Sequence, residues 1–278
     1  MTTTTTTTTT TTRTIFITGS STGLGRAAAL RFAREGWRVV ATMRRPEQDT
    51  ELGQHANVTL LALDVTRPEQ IAAAAKQALA LGPVDVVFNN AGYGLAGPLE
   101  GTTDAQIVHE IDTNLLGVIR TTQAFVPHFR ERRAGLFIAT TSIGGLVTFP
   151  FNSLYHATKW AIEGLYESLS FELSKFGIGV KTVSPGGIKT EFRSSLVRAE
   201  HPAYEALLAR VVAQFNDPAR MAAASTAEQI ADVVYEAATD GKDQLRYVAG
   251  EDAKATFAQR RAAGDEAFRH ALDRLFFG

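Results

Sequence analysis

Hydrophobic and polar positions along this chain follow two alternating periods. Short β-branched and aromatic runs recur at 13–18 (RTIFIT), 37–42 (WRVVAT), 58–63, 84–89 (VDVVFN), 136–140 (LFIAT), 179–184 (GVKTVS) and 244–248 (QLRYV). Longer segments of helical spacing lie between them. Across 23–35, Leu24, Ala28 and Phe32 recur every four residues while Arg31, Arg34 and Glu35 face elsewhere, which predicts a helix with one buried face. Gly36 closes it. Further helices are predicted over 68–81, 103–133 and 152–176. Strands alternating with helices of this length imply a parallel sheet covered on both faces. The expected fold class is therefore α/β, a single doubly wound parallel sheet of about seven strands.

No internal repeat or linker divides 13–278, which reads as one domain. An insertion at 191–224 carries Tyr204, Leu207, Leu208, Val211, Val212 and Phe215 on one helical stripe. The stretch 251–278 reads as a helical extension broken near Gly264. Met1 is followed by eleven threonines. A single-residue polar tract cannot build a core, so 1–12 is expected to be a disordered tail rather than a signal peptide, which needs basic and apolar regions.

Composition narrows the function classes. The 278 residues are 45% hydrophobic and 21% charged, enough to bury a sizeable core. The net charge of −1 offers no footprint for a nucleic acid. Zero cysteines exclude disulfides, thiolate nucleophiles and Cys-ligated zinc, and fit a reducing cytoplasm. The six histidines show no i,i+4 pair, so no metal site is expected. No apolar run is long enough to span a membrane.

The first chemical signal is T-G-S-S-T-G-L-G at 18–25, directly after a strand and opening a helix. Glycines there allow a tight turn and let a pyrophosphate approach backbone amides at a helix N-terminus. An ordinary tight turn is the plain alternative; the strand before and helix after favour a nucleotide. An NAD binder usually carries an acid about twenty residues on, at the end of the second strand. Here that strand ends Ala41-Thr42-Met43 and Arg44-Arg45 follow, a pair suited to a 2′-phosphate unless Glu47 or Asp49 neutralises it. Tyr155 and Lys159 lie four apart, on one face of the predicted helix. An ammonium about 4 Å away would contribute roughly 4 kcal/mol at an effective dielectric near 20 and could lower a phenol's pKa by up to about three units.

The spacing TGxxxGxG resembles that of the short-chain dehydrogenase/reductase family, and later motifs follow that family's order: Asp64-Val65, Asn89-Asn90-Ala91-Gly92, Asn114, Ser142, Tyr155-x-x-x-Lys159 and Pro185-Gly186. The resemblance implies a Rossmann-type fold and an NADP-dependent oxidoreductase. It assigns Tyr155 as general acid in carbonyl reduction and base in alcohol oxidation. Lys159 would also hold the nicotinamide ribose, Ser142 would bind the substrate oxygen, and Asn114 would anchor a water through its backbone carbonyl. Gly19, Ser21, Gly23, Leu24 and Gly25 would take the pyrophosphate, and Arg44 the 2′-phosphate. Asp64 would meet the adenine, Asn90, Ala91 and Gly92 would lie against the adenosine half, and Pro185, Gly186, Ile188 and Thr190 would border the nicotinamide.

Ile143, Leu146, Val147, Phe149, Phe151 and Leu154 follow Ser142, and the 191–224 segment caps the substrate in the family. A mostly apolar cleft with one polar corner suits a hydrophobic ketone or alcohol. Segments 92–100 and 144–170 look closest to the 17-beta-hydroxysteroid and retinol dehydrogenase branch. A 3-oxoacyl-thioester reductase and a catalytically silent NADP-sensing protein are the competing readings. By resemblance the chain pairs through 103–133 and 152–176 as a homodimer, with a tetramer open.

Overall fold

The computed structural model describes residues 12–190 and 196–278. The threonine tract up to residue 11 and the start of the expected lid, 191–195, lie outside the described residues.

Seven strands form the central sheet: β1 (Thr14–Ile17), β2 (Arg38–Met43), β3 (Val58–Ala62), β4 (Val86–Asn89), β5 (Gly135–Thr140), β6 (Ile178–Pro185) and β7 (Arg246–Ala249). Every pairing is parallel, in the order β7-β6-β5-β4-β1-β2-β3. Such strands are buried on both faces and read as continuous apolar runs. Thus all four residues of β1 and of β4 are buried.

Helix α1 (Gly23–Arg34) packs on α8 (Ala227–Thr239) against one face of the sheet, around Phe32, Trp37, Ile230 and Val234. On the other face lie α2 (Pro68–Ala80), α4 (Gly117–Arg132) and α5 (Ser153–Leu173), around Phe16, Phe125, Phe129, Phe137 and Tyr166. The strand order reverses between β1 and β4, so a crevice opens beyond their carboxyl ends. In open α/β sheets this is the position for a ligand.

The expected helix over 103–133 is not one regular helix. It comprises α3 (Asp104–Ile111), a π-helical turn at Asp112–Leu116, and α4. The turn holds Asn114 and shifts the ladder within the segment, a distortion that periodicity averaged over thirty residues does not reveal. At the other end of the insertion, α6 (Glu205–Phe215) and α7 (Pro218–Ala223) are present as short helices. The C-terminal stretch forms α9 (Glu251–Ala263) and α10 (Asp265–Phe277), parted at Gly264 as its sequence suggests.

Candidate active site

The glycine loop runs from the end of β1 into α1. Gly19 has φ +71°, in the left-handed region open to glycine, and a Cβ there would sit 2.8 Å from the Ala91 Cα. At Gly25 the constraint is space: a Cβ would lie 2.1 Å from the Gly19 carbonyl oxygen and 2.5 Å from Asn90 Nδ2. Ser21 is exposed at the turn, Gly23 opens the helix, and Leu24 points into the core.

Across the crevice, the segment after β4 is tied to this loop. Thr18 Oγ1 accepts from the amides of Asn90 (2.9 Å) and Ala91 (3.0 Å), and Asn90 Nδ2 donates to the Gly19 carbonyl at 3.1 Å. Thr18 is a fixing residue that the motif alone does not single out. The two glycine-bearing segments are therefore tied together, with bare backbone at the switch point. That cradle, together with the start of α1, fits a phosphate-bearing dinucleotide.

The charges around the crevice decide between the two expected fates of the arginines. Asp49 accepts from Arg26 (3.4 Å) and from the Gly53 amide (2.8 Å), so it is occupied. Arg44 and Arg45 are exposed, and neither forms an ion pair within the described residues. Asp64 accepts from the Thr66 amide (3.0 Å) and hydroxyl (2.7 Å). Burial acts to raise its pKa, but these bonds, with Arg44 and Arg67 nearby, hold it below the ordinary carboxylate value.

On the far side, β6 ends at buried Pro185. A Cβ on Gly186 would collide with both Asp252 carboxylate oxygens at 2.3 Å. The Gly187 amide donates to Asp252 Oδ2 at 2.7 Å, holding Ile188 at the start of a short parallel pairing with Ser225. The Thr190 side chain lies about 3.6 Å from where a Gly23 Cβ would project, so this loop faces the glycine loop directly.

The four chemical candidates converge at the carboxyl ends of β4 and β5. Ser142 follows β5; its Oγ accepts from the Gly144 amide at 3.0 Å and is hydrogen-bonded to Tyr155. Tyr155 and Lys159 share one face of α5, with Lys159 Nζ 5.7 Å from the Tyr155 ring centre. Lys159 is buried and donates to the Thr140 carbonyl at 2.9 Å. Asn114 is buried against the loop after β4: its Nδ2 donates to the Tyr93 carbonyl (2.8 Å) and its Oδ1 accepts from the Tyr93 amide (3.0 Å). Gly92 lies between Asn114 and Lys159, a Cβ there falling 3.0 Å from Asn114 Oδ1 and 3.7 Å from Lys159 Nζ.

One electrostatic expectation is overturned. The Tyr155 phenol is not acidified; burial pushes it up to about 12, against the lowering effect of Ser142, and Glu110 raises it further. Lys159 instead drops to about 8, because burial disfavours its charge. The reason is geometric: the ammonium is held by the Thr140 carbonyl, and desolvation outweighs the attraction a pair at about 4 Å in a wetter medium would supply.

Two acids went unnoticed in the sequence. Glu163, one helical turn beyond Lys159, accepts from Thr141 (2.6 Å), Ser184 (2.9 Å), Thr182 (3.1 Å) and Arg246 (2.9 Å). Glu110 is completely buried, and Asn114 Nδ2 donates to its Oε1 at 2.8 Å. The signal for both was an acid in helical register with a candidate residue: Glu110 with Asn114, and Glu163 with Lys159.

Aromatic side chains stand beside this polar corner. Phe149 packs edge-on against Phe215 (5.8 Å) and Phe276 (6.5 Å), and Phe151 against Tyr204 (6.2 Å) and Phe277 (6.4 Å). Insertion and C-terminal extension thus meet over the segment that follows Ser142. A cavity of about 490 Å³ beside α5 is lined by Phe149, Phe151, Ser153, His156, Ala157 and Trp160. Ser142 and Tyr155 do not line it; His156, which does, has its ring centre 6.0 Å from that of Tyr155. Burial pushes His156 down to about 4, so it is a neutral, packed side chain at neutral pH. No cluster of metal-ligating residues occurs among the described residues, and no helix among them is long and apolar enough to cross a membrane.

The fold and this constellation define a nucleotide-linked oxidoreductase of the short-chain dehydrogenase class. The short chain dehydrogenase family model matches residues 13–201, and the chain belongs to that family. It is 36% identical over 228 residues to an uncharacterized oxidoreductase of Schizosaccharomyces pombe, covering 81% of this chain and 96% of that one. Bovine retinol dehydrogenase 8 is 39% identical over 66% of this chain and 62% of its own length. Human 17-beta-hydroxysteroid dehydrogenase type 1 is 33% identical over 84% of this chain and 76% of its own. A solved short-chain dehydrogenase from Streptomyces avermitilis superposes with a TM-score of 0.82 at 30% identity, covering 95% of this chain and 96% of that chain. An alcohol dehydrogenase from Thermococcus sibiricus, complexed with 5-hydroxy-NADP, superposes with a TM-score of 0.69 at 28% identity, covering 85% of this chain and 94% of that chain.

Proposed function

We propose that this oxidoreductase uses NADP(H) to interconvert a hydrophobic ketone and its secondary alcohol, with Tyr155 as the general acid and base. The observation that carries the reading is the meeting of Ser142, Tyr155 and Lys159 on one side of the glycine-lined crevice. When bound, the dinucleotide supplies a hydride to the carbonyl carbon or takes one from the alcohol carbon.

The chain's own residues do the rest. Ser142 donates to the substrate oxygen and steadies the negative charge that develops there. Tyr155, protonated at neutral pH because its pKa stands at about 12, gives that oxygen its proton in reduction. Lys159, held by Thr140, positions the ribose and sets the charge beside the phenol. Asn114 anchors, through its backbone carbonyl in the π turn, a water leading from Lys159 toward solvent. Gly19, Ser21, Gly23, Leu24 and Gly25 form the pyrophosphate seat, and Asp64 with Asn90, Ala91 and Gly92 borders the adenosine half. Pro185, Gly186, Ile188 and Thr190 border the nicotinamide.

The choice of NADP rests on Arg44 and Arg45, which stand exposed and form no ion pair among the described residues, where an NAD binder would place a carboxylate. Replacing Arg44 by alanine removes a charge-assisted hydrogen bond of about 1.5 kcal/mol, so the NADPH KM is expected to rise roughly tenfold. The NADH KM should stay constant; an unchanged NADPH KM in steady-state assays would remove this basis for the preference.

The aromatic wall from Phe149 to Phe277 supports an apolar substrate of the steroid, retinoid or aryl-ketone kind. A panel of such ketones, followed by NADPH absorbance, tests the class. Turnover confined to acetoacetyl thioesters would favour the thioester-reductase reading instead. The assembly we propose is a homodimer through α4 and α5, supported by Phe171 on α5, which is 69% exposed.

A further inference from the structure

Glu110 is the least expected group near the chemistry. Its side chain is 0% exposed; Asn114 Nδ2 donates to its Oε1 at 2.8 Å, and Tyr93 is hydrogen-bonded to the carboxyl as well. Its second oxygen, Oε2, is buried without a hydrogen-bond partner. Three titratable groups feel its charge: Tyr93 from the loop after β4, and Lys159 and Tyr155 from α5. Its neighbour His109 stacks on the outer side, against the Tyr93 ring at 5.3 Å. The other acid acting on Lys159, Glu163, differs in kind: Arg246 balances its charge and three hydroxyls saturate its oxygens.

A fully buried carboxyl with so few donors is a poor place for a permanent charge. Burial accordingly raises Glu110 to about 7, although Lys159, Tyr93 and Asn114 all favour its ionised form. Its two states act differently on the proton-transfer pair. As a carboxylate, Glu110 offsets the charge of Lys159 and makes Tyr155 harder to ionise. As a neutral acid it leaves the ammonium unopposed, and the phenol gives up its proton more readily.

We propose that Glu110 is a positioning residue: a buried carboxyl, held by Asn114 and near Lys159, whose charge holds the proton on the Tyr155 phenol and so extends carbonyl reduction to higher pH. This rests on the reading of Tyr155 as proton donor. Its negative charge raises the phenol's proton affinity, so removing it must move the Tyr155 ionisation to lower pH. No bond to substrate or nucleotide is involved.

The test is the pH profile of Glu110→Gln. Glutamine keeps the shape and can still accept from Asn114, so a purely structural role would leave the profile in place. The alkaline limb of kcat/KM for ketone reduction is expected to move down by about one pH unit, a tenfold change in proton affinity. A second measurement needs neither variant nor turnover. In infrared spectra of the wild-type protein carrying ¹³C-labelled glutamate, the carbonyl band of a buried, protonated glutamic acid should be lost as pH rises through about 7. A limb that superposes on the wild type, or the absence of a titrating glutamic-acid band, overturns the proposal. Failure of the wider reading looks different: Tyr155→Phe would keep its turnover, whatever the infrared band does.

Discussion

Tyr155→Phe is expected to bind NADPH as the wild type does and to lose turnover by roughly 10²–10⁴-fold, the usual contribution of a positioned general acid. The substitution removes one hydroxyl and leaves the ring, so α5 and its packing are retained. What disappears is the proton that the reduced oxygen must receive and the partner to which Ser142 is hydrogen-bonded. Lys159 and Thr140 do not depend on the phenol, because their 2.9 Å bond is independent of it. Fluorescence titration with NADPH would report the intact nucleotide seat, and NADPH absorbance with the ketone panel would report the loss. Near-wild-type turnover in this variant would sink the assignment of Tyr155.

Gly25→Ala should produce the opposite separation, with a failing nucleotide seat and an intact chemical corner. The added methyl would meet the Gly19 carbonyl oxygen at 2.1 Å and Asn90 Nδ2 at 2.5 Å, distances no alanine tolerates. Gly25 has no unusual backbone angle, so the cost is overpacking alone. It falls on backbone and on the Asn90–Gly19 hydrogen bond, neither of which can yield like a flexible side-chain end. At the upper end of overpacking, about 3 kcal/mol, NADPH affinity should fall by roughly 100-fold or more. A far-UV spectrum matching the wild type would place the defect in the loop rather than the fold. An unchanged dissociation constant would show that the loop does not contact the nucleotide.

The pattern of residues foretold the sheet well because each strand is short, apolar and followed by a helical stripe. Leu24, Ala28 and Phe32 face the core as their spacing requires. Strand ends were less legible: Val84 and Asp85 read as strand, yet β4 begins at Val86, because side-chain type does not reveal where ladder pairing starts. The helix over 103–133 hid its π turn for a related reason, since one shifted hydrogen bond leaves the hydrophobic spacing on either side intact. Within the site, spacing placed Tyr155 and Lys159 on one face, but it could not give the phenol's proton affinity.

Local order along the chain determined the α/β architecture, the glycine loop at the first strand-to-helix turn, and the pairing of Tyr155 with Lys159, because each depends on neighbours within a turn or two. Only the tertiary structure decided what surrounds them. It freed Arg44 by giving Asp49 to Arg26, brought the C-terminal Phe276 and Phe277 against Phe149 and Phe151, and buried Glu110 beside Asn114 and near Lys159. Those contacts join residues distant in sequence, and desolvation is a property of the whole assembled core rather than of any spacing along the chain.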